Sequence, residues 1–309
     1  MFLAGSTGLI GRACEKVLLE KGYKNLLTPS SKELDLTDPV QVKSFFSSNE
    51  IDIVILAAGK VGGIIENKNN PVGFLTTNLP IQLNIFSSAI ENNCQKIVFL
   101  GSSCMYPKEC NQPMVEDDLF TGKMEPTSMA YAVSKIAGLQ LGFSYNQQFS
   151  SDKFLCLIPN SAYGPWDNFN YESGHVLSAL INRFHQAKIK NLGTVDLWGS
   201  GSPKREFIYS EDIAGAIIFL LEKGINTRDK PINIGSGSDY SILELAEMIK
   251  ITTSFKGTIN WNTSMPDGSP RKLLDSSTIE SFGWRPKTDL RSGLKNTYQW
   301  FLENIAAYE

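Results

Sequence analysis

Short apolar runs recur along this chain, and between them lie longer stretches whose apolar positions are spaced as on a helix face. Met1-Phe2-Leu3-Ala4 reads as the end of a short strand, and Leu9 to Glu20 as a helix. Ile51-Asp52-Ile53-Val54-Ile55-Leu56, Lys96-Ile97-Val98-Phe99-Leu100 and Phe154-Leu155-Cys156-Leu157-Ile158 are further strand-like runs, the last ended by Pro159. Helical stretches stand between them, one from about Thr77 to Asn92 and one that carries Tyr131 and Lys135. This alternation predicts an α/β fold, a doubly wound parallel sheet with helices on both faces.

After Pro159 the texture changes. Residues 160–205 are rich in Asn, Gly, Pro and aromatics around one helix, about Val176 to Lys188, and residues 237–309 hold turns and a terminal amphipathic helix. Phe207 to Glu222 and Ile232-Asn233-Ile234-Gly235 read as returns to the sheet. The expected organisation is a nucleotide-binding domain of residues 1–159 plus about 206–236, with a smaller, discontinuous α/β lobe of about 160–205 plus 237–309. No repeat or low-complexity segment interrupts it.

Three segments carry chemistry. Gly5-Ser6-Thr7-Gly8-Leu9-Ile10-Gly11 occupies the first strand-to-helix turn, where glycine permits a tight bend and lets backbone N–H groups approach a pyrophosphate. Tyr131 and Lys135 share one helix face, so an ammonium can favour the phenolate and make the tyrosine a usable acid and base. Gly101-Ser102-Ser103-Cys104 follows a strand between them. Alone, the glycine run is compatible with an ordinary loop and the Tyr/Lys pair with an ordinary surface helix. Together, in a βαβ rhythm, they read as a Rossmann-type dinucleotide site.

Composition agrees with an enzyme of this kind. A chain of 309 residues, 42% hydrophobic, can bury a large core. With 29 basic and 32 acidic residues and no cationic run, nothing points to nucleic acid. The five cysteines show no metal or disulfide spacing, no signal peptide opens the chain, and no apolar run is long enough for a bilayer. A cytoplasmic protein with reduced thiols, without a metal and without a membrane partner, is expected.

On these residues the chain resembles the extended short-chain dehydrogenase/reductases, and within them the 3,5-epimerase/4-reductases that turn GDP-4-keto-6-deoxy-D-mannose into GDP-L-fucose. The resemblance runs end to end and is most specific at Lys60-Val61-Gly62-Gly63-Ile64, Gly101 to Lys108, Tyr163 to Phe169, Trp198-Gly199-Ser200-Gly201, Arg205-Glu206-Phe207 and Pro266 to Asp275. It implies an NADP(H) site of Gly5, Gly8, Leu9, Ile10, Gly11, Ser31, Lys32, Ala57, Ala58, Tyr131, Lys135, Pro159 and His175. It implies a GDP-sugar site that includes Ser103, Arg183, Trp198, Arg205 and Lys272, and a homodimer formed by the Thr77–Asn92 helix and the Tyr131 helix.

The implied chemistry follows from the substrate. A keto group at C4 acidifies the C–H bonds at C3 and C5, so a base and an acid on opposite faces can invert both carbons. By resemblance Cys104 is the base and His175 the acid, while Ser102, Tyr131 and Lys135 serve reduction at C4. A cysteine is usually buried and inert, but a thiol two residues after Ser102 can be made acidic by Lys135 and the cofactor's ring. The other histidine, His185, lies inside a helix and reads as structural.

Cofactor choice rests on Leu27-Thr28-Pro29-Ser30-Ser31-Lys32, which has no acid before Glu33 to hold an NAD ribose; Ser31 and Lys32, with Arg12, suit a 2′-phosphate. Departures from the family pattern occur beside the sugar, at Ser128-Met129 and at Asn160-Ser161, where a sugar-contacting asparagine is either replaced by Ser161 or moved to Asn160. They admit a different GDP-4-keto sugar, a heptose or a dideoxyhexose, as substrate of an epimerase/reductase or plain 4-reductase. A non-catalytic redox sensor on the same fold is a further alternative, opposed by the presence of both Tyr131 and Lys135.

Overall fold

The computed structural model describes residues 1–305 apart from 172, 226, 265 and 266, so Pro266 of the 266–275 motif lies outside the described residues. In chain order the strands are β1 (Phe2–Ala4), β2 (Ile53–Leu56), β3 (Lys96–Leu100), β4 (Phe154–Pro159), β5 (Ser161–Tyr163), β6 (Thr194–Trp198), β7 (Lys204–Tyr209), β8 (Ile232–Ile234), β9 (Asp239–Ser241), β10 (Thr258–Asn262) and β11 (Arg271–Lys272). The helices are α1 (Leu9–Glu20), α2 (Pro39–Ser47), α3 (Ile64–Asn69), α4 (Pro71–Glu91), α5 (Met129–Gln148), α6 (Val176–Ile189), α7 (Ser210–Glu222), α8 (Ile242–Thr253), α9 (Ser277–Ser281) and α10 (Leu290–Asn304).

The main sheet is parallel in the order β1-β2-β3-β4-β8, as the alternation predicts. Successive strand residues point to opposite faces, and both faces are covered. Phe2, Val54, Ile97 and Phe99 pack with Phe46 of α2, Ile85 and Phe86 of α4 and Leu139 of α5. Leu3, Ile55, Val98 and Leu155 pack on the other side with Ala13 and Leu18 of α1 and Ile213 and Ile217 of α7. Each such fully buried Phe, Leu or Ile side chain contributes about 1.5–3 kcal/mol of transfer energy, which is why these runs contain no polar alternation.

The chain before Thr28 joins the sheet through one bridge, Leu27 with Phe2. One helix differs from expectation. Helix α4 begins at Pro71, ahead of Thr77, because proline suits the first helical position and the Asn70 side-chain oxygen Oδ1 accepts the Gly73 N–H at 3.2 Å.

Only Asn160 separates β4 from β5, so the second body of structure starts at the carboxyl end of the main sheet. There β7 pairs in parallel with β5 and β11 and antiparallel with β9, while β6 pairs with β10. Strand β7 crosses residue 206, the expected point of return to the main sheet, while still hydrogen-bonding to its lobe neighbours. Tyr163, Phe169, Phe184, Phe207, Leu245 and Phe301 form the core of this part. Among the described residues no helix is long and apolar enough to cross a membrane.

Candidate active site

The glycine run follows β1, Ala57-Ala58 follows β2, Ser102-Cys104 follows β3, and Pro159 ends β4, so four of the expected segments meet outside the carboxyl ends of the parallel strands. Gly5 has φ +88°, and a Cβ there would lie 2.5 Å from the Ala58 nitrogen. A Cβ on Gly11 would lie 2.0 Å from the Gly5 carbonyl oxygen. The turn is thus closed against itself and against Ala57-Ala58. Gly8, the N-cap of α1, places no capping side chain over the first turn, which holds no acid, and its own Cβ would approach nothing nearer than the Gly5 oxygen at 3.6 Å. The N–H groups of Leu9, Ile10 and Gly11 at this open, partly positive helix end fit a dinucleotide pyrophosphate.

Ser31 and Lys32 are exposed, after the Leu27 bridge to Phe2 of β1. The carboxylate of Glu33 accepts the Ser30 N–H and hydroxyl, both at 2.8 Å, and these bonds hold it below the ordinary carboxyl range. The first acid after Leu27 is therefore spent in its own turn. Arg12 is engaged with Glu15 at 3.1 Å.

Helix α5 sets Tyr131 and Lys135 one turn apart. The Lys135 ammonium donates to the Leu100 carbonyl at 2.9 Å and sits 5.9 Å from the centre of the Tyr131 ring. Burial lowers it to about 8. Beside it, Asn78 staples the Gly59-Lys60 turn, accepting the Lys60 N–H at 2.6 Å and donating to the Lys60 carbonyl at 3.0 Å. The Tyr131 phenol is pushed well above its ordinary value, first by burial and then by Cys104, against a hydrogen bond with Ser102. The expected depression of Tyr131 by Lys135 is therefore corrected: burial wins, and the ammonium is directed at Leu100. Ser102 Oγ also accepts the Cys104 N–H at 3.2 Å, while Ser103 is buried.

The source of Cys104 acidity is corrected as well. Burial pushes this thiol up, but the Lys272 ammonium, with its Nζ 3.8 Å from Sγ, and hydrogen bonds from Ser102, Ser128 and Lys272 bring it below its ordinary value. The thiol neighbouring Lys135 is instead the buried Cys156, which burial pushes up to about 12. Lys272 stands in register with Arg205 across β11 and β7. Burial lowers the Arg205 guanidinium, and Cys104 and Glu125 oppose that. Two cations side by side on neighbouring strands repel, an arrangement suited to a polyanion.

His175 is the exposed N-cap residue of α6 and makes no side-chain cap. The Gly63 N–H donates to the Ser173 carbonyl at 3.4 Å, so the Lys60–Ile64 segment packs on the loop leading to His175. Burial raises the Asp167 carboxyl, and the charge of nearby His175 and hydrogen bonds from Ser178 and Asn168 oppose that rise. Arg183 stacks 4.4 Å over the Tyr171 ring, and Trp198 stands 49% exposed. No hydrogen bond or ion pair among the described residues joins His175, Arg183 or Trp198 to the Ser102–Cys104–Lys272 group.

Asn160 is buried, and its amide donates to Glu206 at 2.6 Å, while Ser161 is only partly buried. Glu206 is fully buried, accepts the Leu274 N–H at 3.0 Å and the Gly237 N–H at 2.8 Å, and is raised by burial. It ties Asn160, β9's approach and the strand bearing Lys272 together. Sequence reasoning missed it, although a glutamate inside an apolar strand run was a visible signal. His185 is structural, its Nδ1 2.9 Å from the Tyr298 hydroxyl in the lobe core.

Residues 1–235 match the sequence profile of the NAD dependent epimerase/dehydratase family. GDP-L-fucose synthase 1 of Arabidopsis thaliana is 46% identical over 305 residues, covering 99% of this chain and 94% of that protein. A GDP-6-OMe-4-keto-L-xylo-heptose reductase from C. jejuni superposes with a TM-score of 0.92 at 33% identity, covering 98% of this chain and 97% of the other. A GDP-L-fucose synthetase from Naegleria fowleri, solved bound to NADP, superposes with a TM-score of 0.89 at 29% identity over 99% of this chain and 94% of that one.

Proposed function

The chain belongs to the NAD dependent epimerase/dehydratase family, and on that footing we propose that it is a bifunctional NADPH-dependent 3,5-epimerase/4-reductase converting GDP-4-keto-6-deoxy-D-mannose to GDP-L-fucose. The observation that carries this reading is the convergence of Ser102, Tyr131, Arg205 and Lys272 around Cys104, which follows β3 just as the uncapped glycine turn follows the parallel strand β1.

The cofactor is NADP(H); Gly5, Gly8 and the first turn of α1 would hold its pyrophosphate, and Ser31 and Lys32 its 2′-phosphate. When bound it supplies the reducing equivalent for C4. The chain's residues do the rest. Arg205 and Lys272 hold the sugar nucleotide's diphosphate, Arg through its planar fork. Cys104 removes the protons at C3 and C5, whose bonds are weakened by the C4 carbonyl, and His175 returns them from the opposite face. Ser102 hydrogen-bonds the C4 oxygen and Tyr131 protonates it, while Lys135 would hold the nicotinamide ribose. Arg183 and Trp198 border the nucleotide.

The protein acts in the cytoplasm as a homodimer. The exposed apolar side chains of Val72, Leu79 and Leu83 on α4 and Met129 and Val133 on α5 support pairing through these two helices, which light scattering on the purified protein tests.

Incubation with GDP-4-keto-6-deoxymannose and NADPH in heavy water tests the chemistry. Cofactor oxidation with deuterium at C3 and C5 of a GDP-L-fucose product is expected. Tyr131→Phe is expected to stop oxidation while exchange continues, and Cys104→Ser to remove most exchange. Equal loss of exchange in both variants would refute the division of labour. A second reading, action on a GDP-4-keto heptose, is favoured by the fold match to the C. jejuni reductase and by Ser128, Met129 and Ser161 beside the sugar; oxidation with such a substrate and none with the 6-deoxy sugar would select it.

A further inference from the structure

We infer that Lys272 and Ser128 hold Cys104 as a thiolate in the resting protein, and that an arriving diphosphate draws Lys272 off the sulfur and so strengthens the base when substrate is in place. The second half rests on the function proposed above; the first does not.

Three observations carry it. Lys272 Nζ lies 3.8 Å from Sγ, and among the described residues Lys272 forms no ion pair with a carboxylate, so no carboxylate competes with the sulfur for its ammonium. Ser128 occupies the N-cap position of α5, the place where a serine ordinarily caps, yet it makes no cap. Its hydroxyl is instead among the groups that draw the Cys104 thiol below its ordinary value. Third, Arg205 stands in register with Lys272, so the second cation that a diphosphate would engage is already beside the first.

The charged and titratable groups facing the sulfur are Lys272 from β11, Arg205 from β7 and Tyr131 from α5, with the hydroxyls of Ser102 and Ser128. Glu125, in the turn before α5, faces Arg205 and is partnered by Lys108 at 3.4 Å. The positive groups thus outnumber the negative ones around Cys104. In the resting protein the thiol proton passes to solvent. In the reaction the thiolate takes a proton from the carbon beside the C4 carbonyl, and the C–H electron pair moves into that carbonyl as an enolate. A thiolate freed of its counter-ion is the stronger base for that step, because the same ammonium that creates the thiolate also stabilises it.

The test is the pH profile of iodoacetamide alkylation of Cys104, followed by peptide mass spectrometry, in which the thiolate displaces iodide to form a thioether. Cys110, which burial and Asp118 push up to about 11, serves as internal reference. The wild-type midpoint is expected below the free-thiol value of about 8.5. Lys272→Gln is expected to raise it by roughly 1–2 pH units, Lys272→Arg to restore most of the shift, and Ser128→Ala to raise it less. GDP, the diphosphate probe, is expected to move the wild-type midpoint toward that of Lys272→Gln and to leave the variant's midpoint in place. The midpoint is the quantity compared, because bound GDP also screens the thiol.

Equal midpoints in wild type and Lys272→Gln would overturn the counter-ion role, and a Lys272→Arg midpoint equal to that of Lys272→Gln would do the same. GDP that binds, as seen by thermal shift, without moving the wild-type midpoint would overturn the release. Absence of GDP binding at millimolar concentration would refute the release together with the sugar-nucleotide reading, while the comparison without GDP still decides the counter-ion role.

Discussion

Replacing Lys135 with methionine is expected to stabilise the cofactor-free protein while abolishing reduction. Lys135 is 5% exposed, and its ammonium donates a hydrogen bond to the Leu100 carbonyl at 2.9 Å. Burial lowers it from 10.5 to about 8, and at 1.36 kcal/mol per unit that difference is a cost of about 3 kcal/mol to the folded state. Methionine has a similar length and no charge, and it leaves the Leu100 carbonyl without that donor, a loss of about 1 kcal/mol. The net expectation is about 2 kcal/mol of stabilisation. The sign follows from linkage: below about pH 8 the lysine is protonated in both states and the folded state bears the whole cost. Between about 8 and 10.5 the unfolded chain binds more protons than the folded one, so wild-type stability rises and the gap to the variant closes. Urea unfolding of both proteins without cofactor at a series of pH values from 7 to 10 measures it. A Lys135→Met protein less stable than wild type at pH 7, or a gap that does not change with pH, would refute the reasoning.

The glycine turn separates two kinds of damage. Gly8→Ala meets only ordinary contacts and is expected to keep wild-type thermal stability while losing at least tenfold in NADPH affinity by fluorescence titration, whereas Gly11→Ala drives its methyl into the Gly5 carbonyl and is expected to lower the melting temperature as well. Glu206→Gln turns an amide N–H₂ against N–H donors at Leu274, Gly237 or Asn160, and is expected to cost about 2 kcal/mol or more in denaturant unfolding; unchanged stability would show that the carboxylate does not tie the lobe. Arg205→Lys keeps the charge but loses the fork, so steady-state kinetics are expected to show KM for the sugar nucleotide raised roughly tenfold with little change in kcat.

Much of the main sheet was legible because its signals are local. An apolar run buried on both faces, a helix with spaced apolar positions and a glycine turn each follow from neighbours within a few residues, and Leu9–Glu20 forms the helix its pattern predicts. The Tyr131/Lys135 pair was legible for the same reason, since helix geometry alone places residues four apart on one face. The lobe was less so: β7 keeps the same apolar texture as a main-sheet strand but finds its partners in β5, β9 and β11. Which groups face Cys104 was decided by tertiary structure alone. Lys272, 168 residues away, reaches the sulfur because a short β11 pairs with β7, whereas Lys135, far nearer in sequence, is turned by its buried helix face toward Leu100. Likewise Asn160 faces Glu206 because a buried carboxylate must gather every donor within reach. Residue types and short spacings therefore set the kinds of chemistry available, and the packing of distant strands chose the partners, because charge interactions act through space and not along the chain.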